Sequence, residues 1–381
     1  MTAYLDNSAT TRPGRSVAAL VCELMESGWY NPSALYRPAL EIQKRAEQAR
    51  QECLKAAGAE GCRLIFTSGG TESDNLALLG HMKTRRGKGD VLISSVEHPA
   101  VSACAEELQR MGHRVLEIPA RKDGTADLDR LEEMMSGDTA MISLMQVNNE
   151  TGAVEPLEEV ARLRDRICPG AAIHVDGVQG FLRVPLNFRK LGIQSYAFSA
   201  HKIHGLKGTG ALVTAADHPL KPMLFGGGQE GNLRSGTENT PGILALGEAV
   251  RSWREEDSGK MRALKIRLWN ALKERIPGAS VNGPDPAEGA PHILNVALEP
   301  VRSQTMLFAL EGDGVYVSAG SACASRKQKI SPVLKAMGVS PVRADCSLRF
   351  SLSRETTEEE IDYAAERAAF HYELLKKYTR R

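Results

Sequence analysis

The sequence contains the run Ser199-Ala200-His201-Lys202-Ile203-His204-Gly205, which directly follows a short apolar segment, Tyr196 to Phe198. The apolar segment predicts a strand, so the run predicts a loop at the carboxyl end of that strand. A lysine that such a loop holds away from water loses its proton readily and can form an imine with an aldehyde. Most lysines are solvated loop residues, so Lys202 indicates this chemistry only if other parts of the chain support it.

A second predicted strand end leads into two glycines. Leu64 to Phe66 predicts the strand, and the run Phe66-Thr67-Ser68-Gly69-Gly70-Thr71-Glu72-Ser73-Asp74 continues from it into a helix. The two glycines allow the backbone to approach an anion, and the first N–H groups of the helix and the Thr71 hydroxyl are suitable donors. The alternative is a tight turn before a capped helix, because Thr71 and Asp74 have the spacing of a capping pair. This segment alone leaves both interpretations open.

Three more predicted strands end in polar residues. They are Asp176 and Gln179 after Ala172 to Val175, His98 after Val91 to Ser94, and Asn149 after Ala140 to Val147. A carboxylate at the carboxyl end of a strand faces the crevice where open α/β sheets bind ligands. If the ligand contains a pyridine ring, Asp176 opposite the ring nitrogen would keep that nitrogen protonated. The imidazole of His98 can stack on such a ring and transfer protons near neutral pH. Asp176 as a helix cap and His98 as an ordinary loop residue are the alternatives.

Strands and helices alternate from about residue 63 to 215. One example is the helix Ala100 to Met111, which lies between the strands Val91 to Ser94 and Val115 to Ile118. This alternation predicts a mostly parallel sheet that is covered by helices on both faces.

The remainder of the chain predicts a smaller domain. A long helical pattern after Pro241 continues to about Ile276, with an interruption near Asp257-Ser258-Gly259, and leads into it. Its predicted elements are the strands His292 to Leu298, Val315 to Val317 and Cys346 to Leu352 and a final helix from Thr357 to about Tyr378. We expect the N-terminal residues to return to this domain.

Composition limits the classes of function. The chain of 381 residues is long enough for two domains of about 150 residues each. It has 48 Lys and Arg against 47 Asp and Glu, so no overall positive charge attracts nucleic acid, and no apolar run approaches the roughly 20 residues of a membrane span. The N-terminus has no secretory pattern. Seven scattered cysteines form no metal-binding spacing and are typical of a reducing cytoplasm.

Taken together, the sequence resembles the NifS-like cysteine desulfurases, which belong to the class V aminotransferase group of fold type I pyridoxal phosphate enzymes. The resemblance covers nearly the whole chain. Its motifs are Tyr4-Leu5-Asp6-Asn7-Ser8-Ala9-Thr10-Thr11, Thr67-Ser68-Gly69-Gly70-Thr71-Glu72-Ser73-Asp74-Asn75, Val147-Asn148-Asn149-Glu150, Arg234-Ser235-Gly236-Thr237 and Arg349-Phe350-Ser351. It implies an α/β fold with a mostly parallel seven-stranded sheet in a large domain, residues 15–250, and an α+β small domain, residues 1–14 and 251–381.

The resemblance also implies pyridoxal 5′-phosphate as the cofactor and a role for each candidate residue. The expected cofactor contacts are Lys202 as the Schiff-base lysine, Asp176 at the pyridine nitrogen, Gln179 at the ring hydroxyl, His98 stacked on the ring, Asn149 as a further donor, and Gly70, Thr71, Ser199 and His201 at the phosphate. Thr237 would reach the phosphate of a neighbouring subunit, which implies a homodimer. Arg349 would bind the substrate carboxylate, with Asn149 beside it, because a guanidinium pairs with a carboxylate through two hydrogen bonds.

Cys323 lies in the run Val317-Ser318-Ala319-Gly320-Ser321-Ala322-Cys323-Ala324-Ser325-Arg326-Lys327, in which small residues predict a surface loop. Cysteines are more often buried and inert, and composition alone favours that alternative. The resemblance instead implies that Cys323 takes the sulfur of L-cysteine as a persulfide and leaves L-alanine, with His98 assisting proton transfer. Arg326 and Lys327 could lower the pKa of the thiol.

The sulfur acceptor stays open at this point. An iron–sulfur scaffold protein and a tRNA-thiolation enzyme are both compatible with the resemblance. The chain departs from the family pattern at Ala324, where threonine is usual, at Tyr36, where relatives commonly have histidine, and in ending without the longer tail of some members. A selenocysteine lyase, another class V enzyme such as an aminotransferase, and a non-enzymatic sulfur-transfer scaffold are the alternative functions.

Overall fold

A computed structural model describes residues 1–319 and 330–378 of the chain. Its strands are β1 (Ala3–Tyr4), β2 (Arg63–Thr67), β3 (Asp90–Ser94), β4 (Arg114–Ile118), β5 (Thr139–Met145), β6 (Ala172–Asp176), β7 (Ser195–Ser199), β8 (Gly210–Thr214), β9 (Ser280–Val281), β10 (Ile293–Ala297), β11 (Val315–Tyr316) and β12 (Ser347–Ser351). Its α-helices are α1 (Arg15–Ser27), α2 (Arg37–Ala56), α3 (Gly70–Met82), α4 (Pro99–Arg110), α5 (Leu128–Met134), α6 (Leu157–Ile167), α7 (Gln229–Asn232), α8 (Thr240–Arg251), α9 (Glu255–Arg275), α10 (Ser303–Gly312), α11 (Pro332–Ala336), α12 (Pro341–Asp345) and α13 (Glu358–Leu375). Single 3-10 turns lie at Ala200–Lys202 and Lys376–Tyr378.

The large sheet of the described residues has seven strands in the order β2-β8-β7-β6-β5-β3-β4. All neighbouring pairs from β7 to β4 are parallel, and β8 alone runs antiparallel to both of its neighbours. The predicted mostly parallel sheet is therefore confirmed. Since parallel strands end at the same edge, the residues that follow β3, β5, β6 and β7 come together there, and so does the turn after β2.

The interior strands are apolar because helices cover both faces of the sheet. Every residue of β5, β6, β7 and β8 is buried, whereas the edge strand β4 is partly exposed. The helix α4 shows the matching pattern on its inner face, where Val101, Cys104 and Leu108 are buried. Strands that are buried on both faces form continuous apolar runs rather than alternating ones, as the sequence has here.

A second, smaller set of strands contains both ends of the chain. β10 pairs antiparallel with β12 and with β9, and β1 pairs in parallel with β11 through Ala3 and Val315. The predicted return of the N-terminal residues is thus confirmed. One apolar core is formed by side chains from the sequence range 17–249. A separate core is formed by Ala3, Leu5 and side chains from the range 264–372. The division into domains at residues 14/15 and 250/251 stays a prediction.

The predicted break in the long helical pattern at Asp257-Ser258-Gly259 is wrong. The helix α8 ends earlier, at Arg251, and the Arg354 guanidinium bonds to the carbonyl of the next residue, Ser252, at 2.5 Å and to its hydroxyl at 3.0 Å. The next helix begins at Glu255, where Asp257 accepts a hydrogen bond from the backbone N–H of Arg254. Gly259 lies inside this helix, at an exposed position that tolerates glycine at modest cost.

Among the helices of the described residues, none combines the length and apolar character that a membrane-spanning segment needs.

Candidate active site

Lys202 lies at the edge of the sheet, in the single helical turn after β7. Its amine donates to two backbone carbonyls, that of Ser8 at 2.5 Å and that of Ala9 at 2.9 Å. The buried guanidinium of Arg183 donates to the carbonyl of Lys202 itself. Both the backbone and the amine of Lys202 are therefore fixed, which suits a residue that must present its nitrogen to one atom of a ligand.

Asp176 ends β6, the strand beside β7, and is 5% exposed. One of its oxygens accepts from the backbone N–H of Val178 at 2.9 Å, and this contact fixes the carboxylate. Burial and, to a smaller extent, Asp74 raise the pKa of Asp176 to about 7, against the opposing effects of the Val178 N–H, His98 and His174. A cation placed against this carboxylate would stabilise its charged form, so a protonated ring nitrogen fits the position.

A buried pair lies behind Asp176. His174, two residues earlier on β6, contacts the Asp74 carboxylate at 3.2 Å through Nε2 and the Ser195 hydroxyl at 2.9 Å through Nδ1. Burial raises the pKa of Asp74 to about 8 and lowers that of His174 to about 4, so both are neutral near pH 7. This pair was not predicted from the sequence, in which Asp74 stood out only as a possible capping residue.

The two-glycine turn has the geometry of an anion site. α3 begins at Gly70 after Gly69, and no side chain caps the helix through a hydrogen bond, so the alternative cap by Thr71 and Asp74 is wrong. A Cβ atom on Gly70 would lie 2.6 Å from a methyl carbon of Val178, so a larger residue here would require that side chain to shift. Thr71 is exposed in the first turn of α3. The open helix start and the adjacent hydroxyl can hold a phosphate.

Two further phosphate candidates lie at and just after the end of β7. Ser199 is 4% exposed at the end of β7, and its hydroxyl lies 3.9 Å from where a Cβ atom on Gly69 would be. His201 contacts the Thr10 hydroxyl at 3.1 Å through Nδ1. Burial, with help from Lys202, lowers the pKa of His201 to about 4, so it is a neutral imidazole at pH 7.

His98 and Gln179 are also brought to the crevice. His98 caps α4, since its Nδ1 accepts from the backbone N–H of Ala100 at 3.2 Å, which places the proton of the neutral ring on Nε2. Burial and the charge of Lys202 lower the pKa of His98, whereas Asp176 raises it. The Gln179 amide donates to the Ser8 carbonyl at 2.9 Å, the same carbonyl that Lys202 contacts.

Arg349 approaches the crevice from β12. It is 4% exposed, and its guanidinium donates to the Asn149 carbonyl at 2.8 Å and to the Asp6 carboxylate at 2.7 Å. Its Nε has no partner among the described residues. Arg349 thus contacts Asn149 through the backbone carbonyl of Asn149, and the binding roles of the two side chains stay predictions. Asp6 belongs to the N-terminal motif of the resemblance. Nothing in the local sequence indicates its contact with Arg349, because the two residues are 343 positions apart.

Cys323 lies outside the described residues, so its predicted role stays a prediction. The described residues on either side of it are anchored beside Arg349. Ser318 and Arg349 exchange backbone hydrogen bonds of 3.1 and 2.7 Å, and Ser331 donates its hydroxyl to the Glu150 carboxylate at 2.5 Å. Both anchors therefore lie next to the candidate carboxylate site.

Thr237 is exposed in the segment between α7 and α8. This segment is tied to α3, because Arg234 pairs with Glu72 at 2.9 Å while Glu72 also accepts from the backbone N–H of Ser68. A single chain does not test whether Thr237 reaches a neighbouring subunit, and that role stays a prediction.

The chain matches the aminotransferase class-V family over residues 3–364. "Cysteine desulfurase 2" of Trichormus variabilis is 38% identical over 362 residues, which are 94% of this chain and 90% of that protein. "Cysteine desulfurase NifS" of Azotobacter vinelandii is 36% identical over 363 residues, with the same coverage of 94% and 90%. A solved structure titled "NifS-like protein" has a TM-score of 0.91 at 32% identity and covers 98% of this chain and 100% of its own.

The chain therefore belongs to the class V aminotransferase family, whose members depend on pyridoxal phosphate. Within that family it groups with the NifS-like cysteine desulfurases. The resemblance inferred from the sequence motifs and the fold that it implied are confirmed.

Proposed function

We propose that this protein is a pyridoxal phosphate-dependent cysteine desulfurase that converts L-cysteine to L-alanine and retains the sulfur on Cys323 as a persulfide. The observation that carries the proposal is the meeting of Lys202, Asp176 and Arg349 at one edge of the large sheet, with both anchors of the Cys323 segment beside Arg349. Lys202 and Asp176 are suited to binding the cofactor, and Arg349 is suited to binding the carboxylate of an amino-acid substrate. Cys323 distinguishes a desulfurase from an aminotransferase.

The residues of the crevice fit pyridoxal phosphate. Asp176 is a buried carboxylate that would be stabilised by a cationic ring nitrogen, and Gly70 starts an uncapped helix suited to a phosphate. We assign Thr71, Ser199 and His201 to the phosphate, His98 to the ring face, Gln179 to the ring hydroxyl and Asn149 to a further polar contact with cofactor or substrate. When bound, the cofactor supplies an aldehyde that captures amines and a ring that accepts the electron pair left at Cα.

Lys202 is the residue that we assign to covalent capture and to proton transfer at Nζ. Its amine is held by the Ser8 and Ala9 carbonyls, and its backbone is held by Arg183. Once a substrate amine takes its place, the same fixed nitrogen can remove the proton from Cα. His98, with Nδ1 engaged by the Ala100 N–H, presents Nε2 for a second proton transfer.

Arg349 is the residue that we assign to the substrate carboxylate. Two of its N–H groups bond to Asp6 and Asn149, and a guanidinium has five donors in a planar fork, so further donors remain for a ligand. Binding the carboxylate at Arg349 and the amine at Lys202 orients the third substituent, the thiol-bearing carbon, in one direction.

Cys323 would receive the sulfur. Its thiolate attacks the substrate sulfur, a new S–S bond forms as the C–S bond breaks, and the electron pair of the C–S bond stays with carbon, which is then protonated to give L-alanine. Cys323 lies five positions after Ser318, and an extended chain spans at most roughly 3.5 Å per residue. Chain length therefore permits this sulfur to meet a substrate bound at Arg349.

Mass spectrometry of the protein after L-cysteine treatment tests the proposal. We expect one added sulfur on the peptide with Cys323 and one equivalent of L-alanine in solution. Cys22 is an exposed free cysteine, so Cys22→Ala is the matched control and should retain both signals, whereas Cys323→Ala should lose the added sulfur. Sulfur uptake at other cysteines, or alanine release only with a keto-acid acceptor, would refute the assignment. A parallel assay with L-selenocysteine measures substrate preference.

The proposal also includes a second copy of the chain and a protein that accepts the sulfur. We infer a homodimer in which Thr237 reaches the cofactor phosphate of the other subunit, and a cytoplasmic sulfur-acceptor protein, either an iron–sulfur scaffold or a tRNA-thiolation enzyme. Mixing inactive Lys202→Ala and Thr237→Ala proteins tests the shared site. If the sites are shared, hybrid dimers regain activity at one site, whereas no recovery in verified hybrids would exclude that arrangement.

A further inference from the structure

Asp6 supplies the counter-charge of Arg349. The two side chains meet at 2.7 Å, and the arginine side chain is only 5% exposed while that of Asp6 is 20% exposed. Tyr4 lies within reach of both charges: burial raises the pKa of its hydroxyl, Asp6 raises it further and Arg349 opposes them. The candidate carboxylate site thus already contains a carboxylate from the protein itself.

The position of Asp6 is fixed by β12, the strand that carries Arg349. Asp6 forms an isolated parallel bridge with Ser351. The next residues extend this attachment, because the Asn7 side chain donates to the Ser351 carbonyl at 2.9 Å and the Ser8 N–H bonds to the Ser351 hydroxyl at 2.8 Å. The Tyr4 hydroxyl donates to the Asp6 carbonyl at 3.2 Å. Asp6 therefore cannot move away easily when a ligand approaches Arg349.

From this arrangement we propose that Asp6 is a positioning residue that weakens the hold of Arg349 on amino-acid carboxylates. The inference rests on the proposed role of Arg349. A carboxylate ligand would place a second negative charge on a guanidinium that Asp6 has already partly neutralised, and like charges at this distance repel. L-Cysteine and L-alanine carry the same carboxylate, so this weakening promotes release of the product at the end of each turnover.

Two substitutions separate the charge of Asp6 from its hydrogen bond. Asp6→Asn keeps an oxygen acceptor of the same shape for Arg349 but removes the charge, so the holoenzyme should bind L-alanine about fivefold or more tightly. Asp6→Ala removes the charge and the contact that orients the guanidinium, so binding should become weaker than in wild type. Asp6→Glu keeps the charge and should stay within about twofold of wild type.

Isothermal titration of each holoenzyme with L-alanine measures the Kd, and steady-state kinetics measure KM and kcat. In Asp6→Asn we expect KM for L-cysteine to fall and L-alanine to become a stronger inhibitor. Asp362→Asn is the matched control, because it removes the same charge from an exposed pair with Arg267 of the same 2.7 Å length, and it should leave the Kd unchanged.

An Asp6→Asn Kd equal to or weaker than that of wild type would overturn the inference. Asp6→Glu provides a second criterion, since a loss of affinity as large as that of Asp6→Ala would mean that geometry rather than charge matters. Failure of the proposed role of Arg349 is distinguishable: wild type and Arg349→Ala would then bind L-alanine equally well, whatever residue stands at position 6.

Discussion

Ser331 and Glu150 meet in a buried hydrogen bond, in which the serine hydroxyl donates to a carboxylate oxygen 2.5 Å away. The same hydroxyl accepts the N–H of Leu334 at 3.1 Å and so caps α11. Burial, opposed by the Ser331 hydrogen bond and the charge of Arg349, raises the pKa of Glu150 to about 7. One serine thus joins a helix that follows the Cys323 segment to the strand-end loop that contacts Arg349.

Ser331→Ala should destabilise the protein more at pH 8 than at pH 6. The Ser331 hydroxyl favours the ionised form of Glu150, so its loss costs most above the pKa of about 7, where that form is populated. Loss of the cap alone costs about 1 kcal/mol at any pH. We expect thermal unfolding to show a Tm lower by about 3 °C at pH 8 and by less at pH 6.

Ser340→Ala is the matched control for this prediction. Ser340 caps the short helix α12 by accepting the Arg343 N–H at 3.3 Å, at an exposed position. Its loss should lower the Tm equally at both pH values. Equal losses for Ser331→Ala at pH 6 and pH 8 would contradict the role of the Glu150 contact.

Asp176→Asn should stabilise the cofactor-free protein but weaken cofactor binding. The unfolded chain ionises Asp176 near its ordinary pKa of 3.8, whereas the folded protein keeps it protonated up to a pKa of about 7. The cost in stability therefore builds up between these two pH values and is complete above about pH 7. The variant should therefore have the higher Tm at pH 8, by about 3 °C or more, with the difference falling below pH 7 and vanishing near pH 4. Its affinity for pyridoxal phosphate should fall because the partner of the ring nitrogen is lost.

Asp74→Asn tests whether the loss of cofactor affinity is specific to Asp176 or accompanies the removal of any buried carboxylate at this site. Burial raises the pKa of Asp74 to about 8, so the same stabilisation of the cofactor-free protein is expected at high pH. Its effect on cofactor affinity should be the smaller of the two. Equal loss of cofactor affinity in both variants would remove the assignment of Asp176 to the ring nitrogen.

Lys202→Ala should abolish covalent attachment of the cofactor. Borohydride reduction of the wild-type holoenzyme should add one reduced pyridoxal phosphate to the mass of the intact protein, because the lysine amine forms the bond that is reduced. The exposed Lys207, five positions later, provides Lys207→Ala as the control that should still be labelled. A labelled Lys202→Ala protein would assign the bond to another amine.

Arg349→Lys should raise KM for L-cysteine by about tenfold or more while cofactor affinity stays near that of wild type. An ammonium group keeps the charge but cannot contact Asp6, Asn149 and a ligand in one plane. Arg267→Lys, at an exposed pair with Asp362, is the control. Parallel losses of cofactor and substrate affinity in Arg349→Lys would indicate a structural role only.

The large sheet was predictable because its strands are short apolar runs separated by amphipathic helices. The predicted strands Val91 to Ser94 and Ala172 to Val175 each differ from the observed β3 and β6 by one residue. Strand order and the reversed direction of β8 were not predictable, since alternation along the chain does not specify which strand lies beside which. The helix break at Ser252 was missed, and the residue that bonds to the Ser252 carbonyl there, Arg354, is distant in sequence.

The candidate site was predictable where its residues follow strand ends, as Lys202, Asp176 and His98 do. The contacts that hold these residues were not. Arg183 on Lys202 and His174 on Asp74 are contacts between residues that no local pattern associates. The family resemblance identified Arg349, but its partner Asp6 required the fold, because the two are 343 positions apart.

The attachment of Asp6, Asn7 and Ser8 to Ser351 has a consequence for biosynthesis. The ribosome makes Ser8 343 positions before Ser351, so these bonds form only after translation has passed β12. The carbonyl of Ser8 that holds the amine of Lys202 is positioned by this late event. A nascent or truncated chain that lacks β12 therefore lacks Arg349 and the bonds that place the Ser8 carbonyl at the Lys202 amine, so we expect translation beyond β12 to precede assembly of the candidate site.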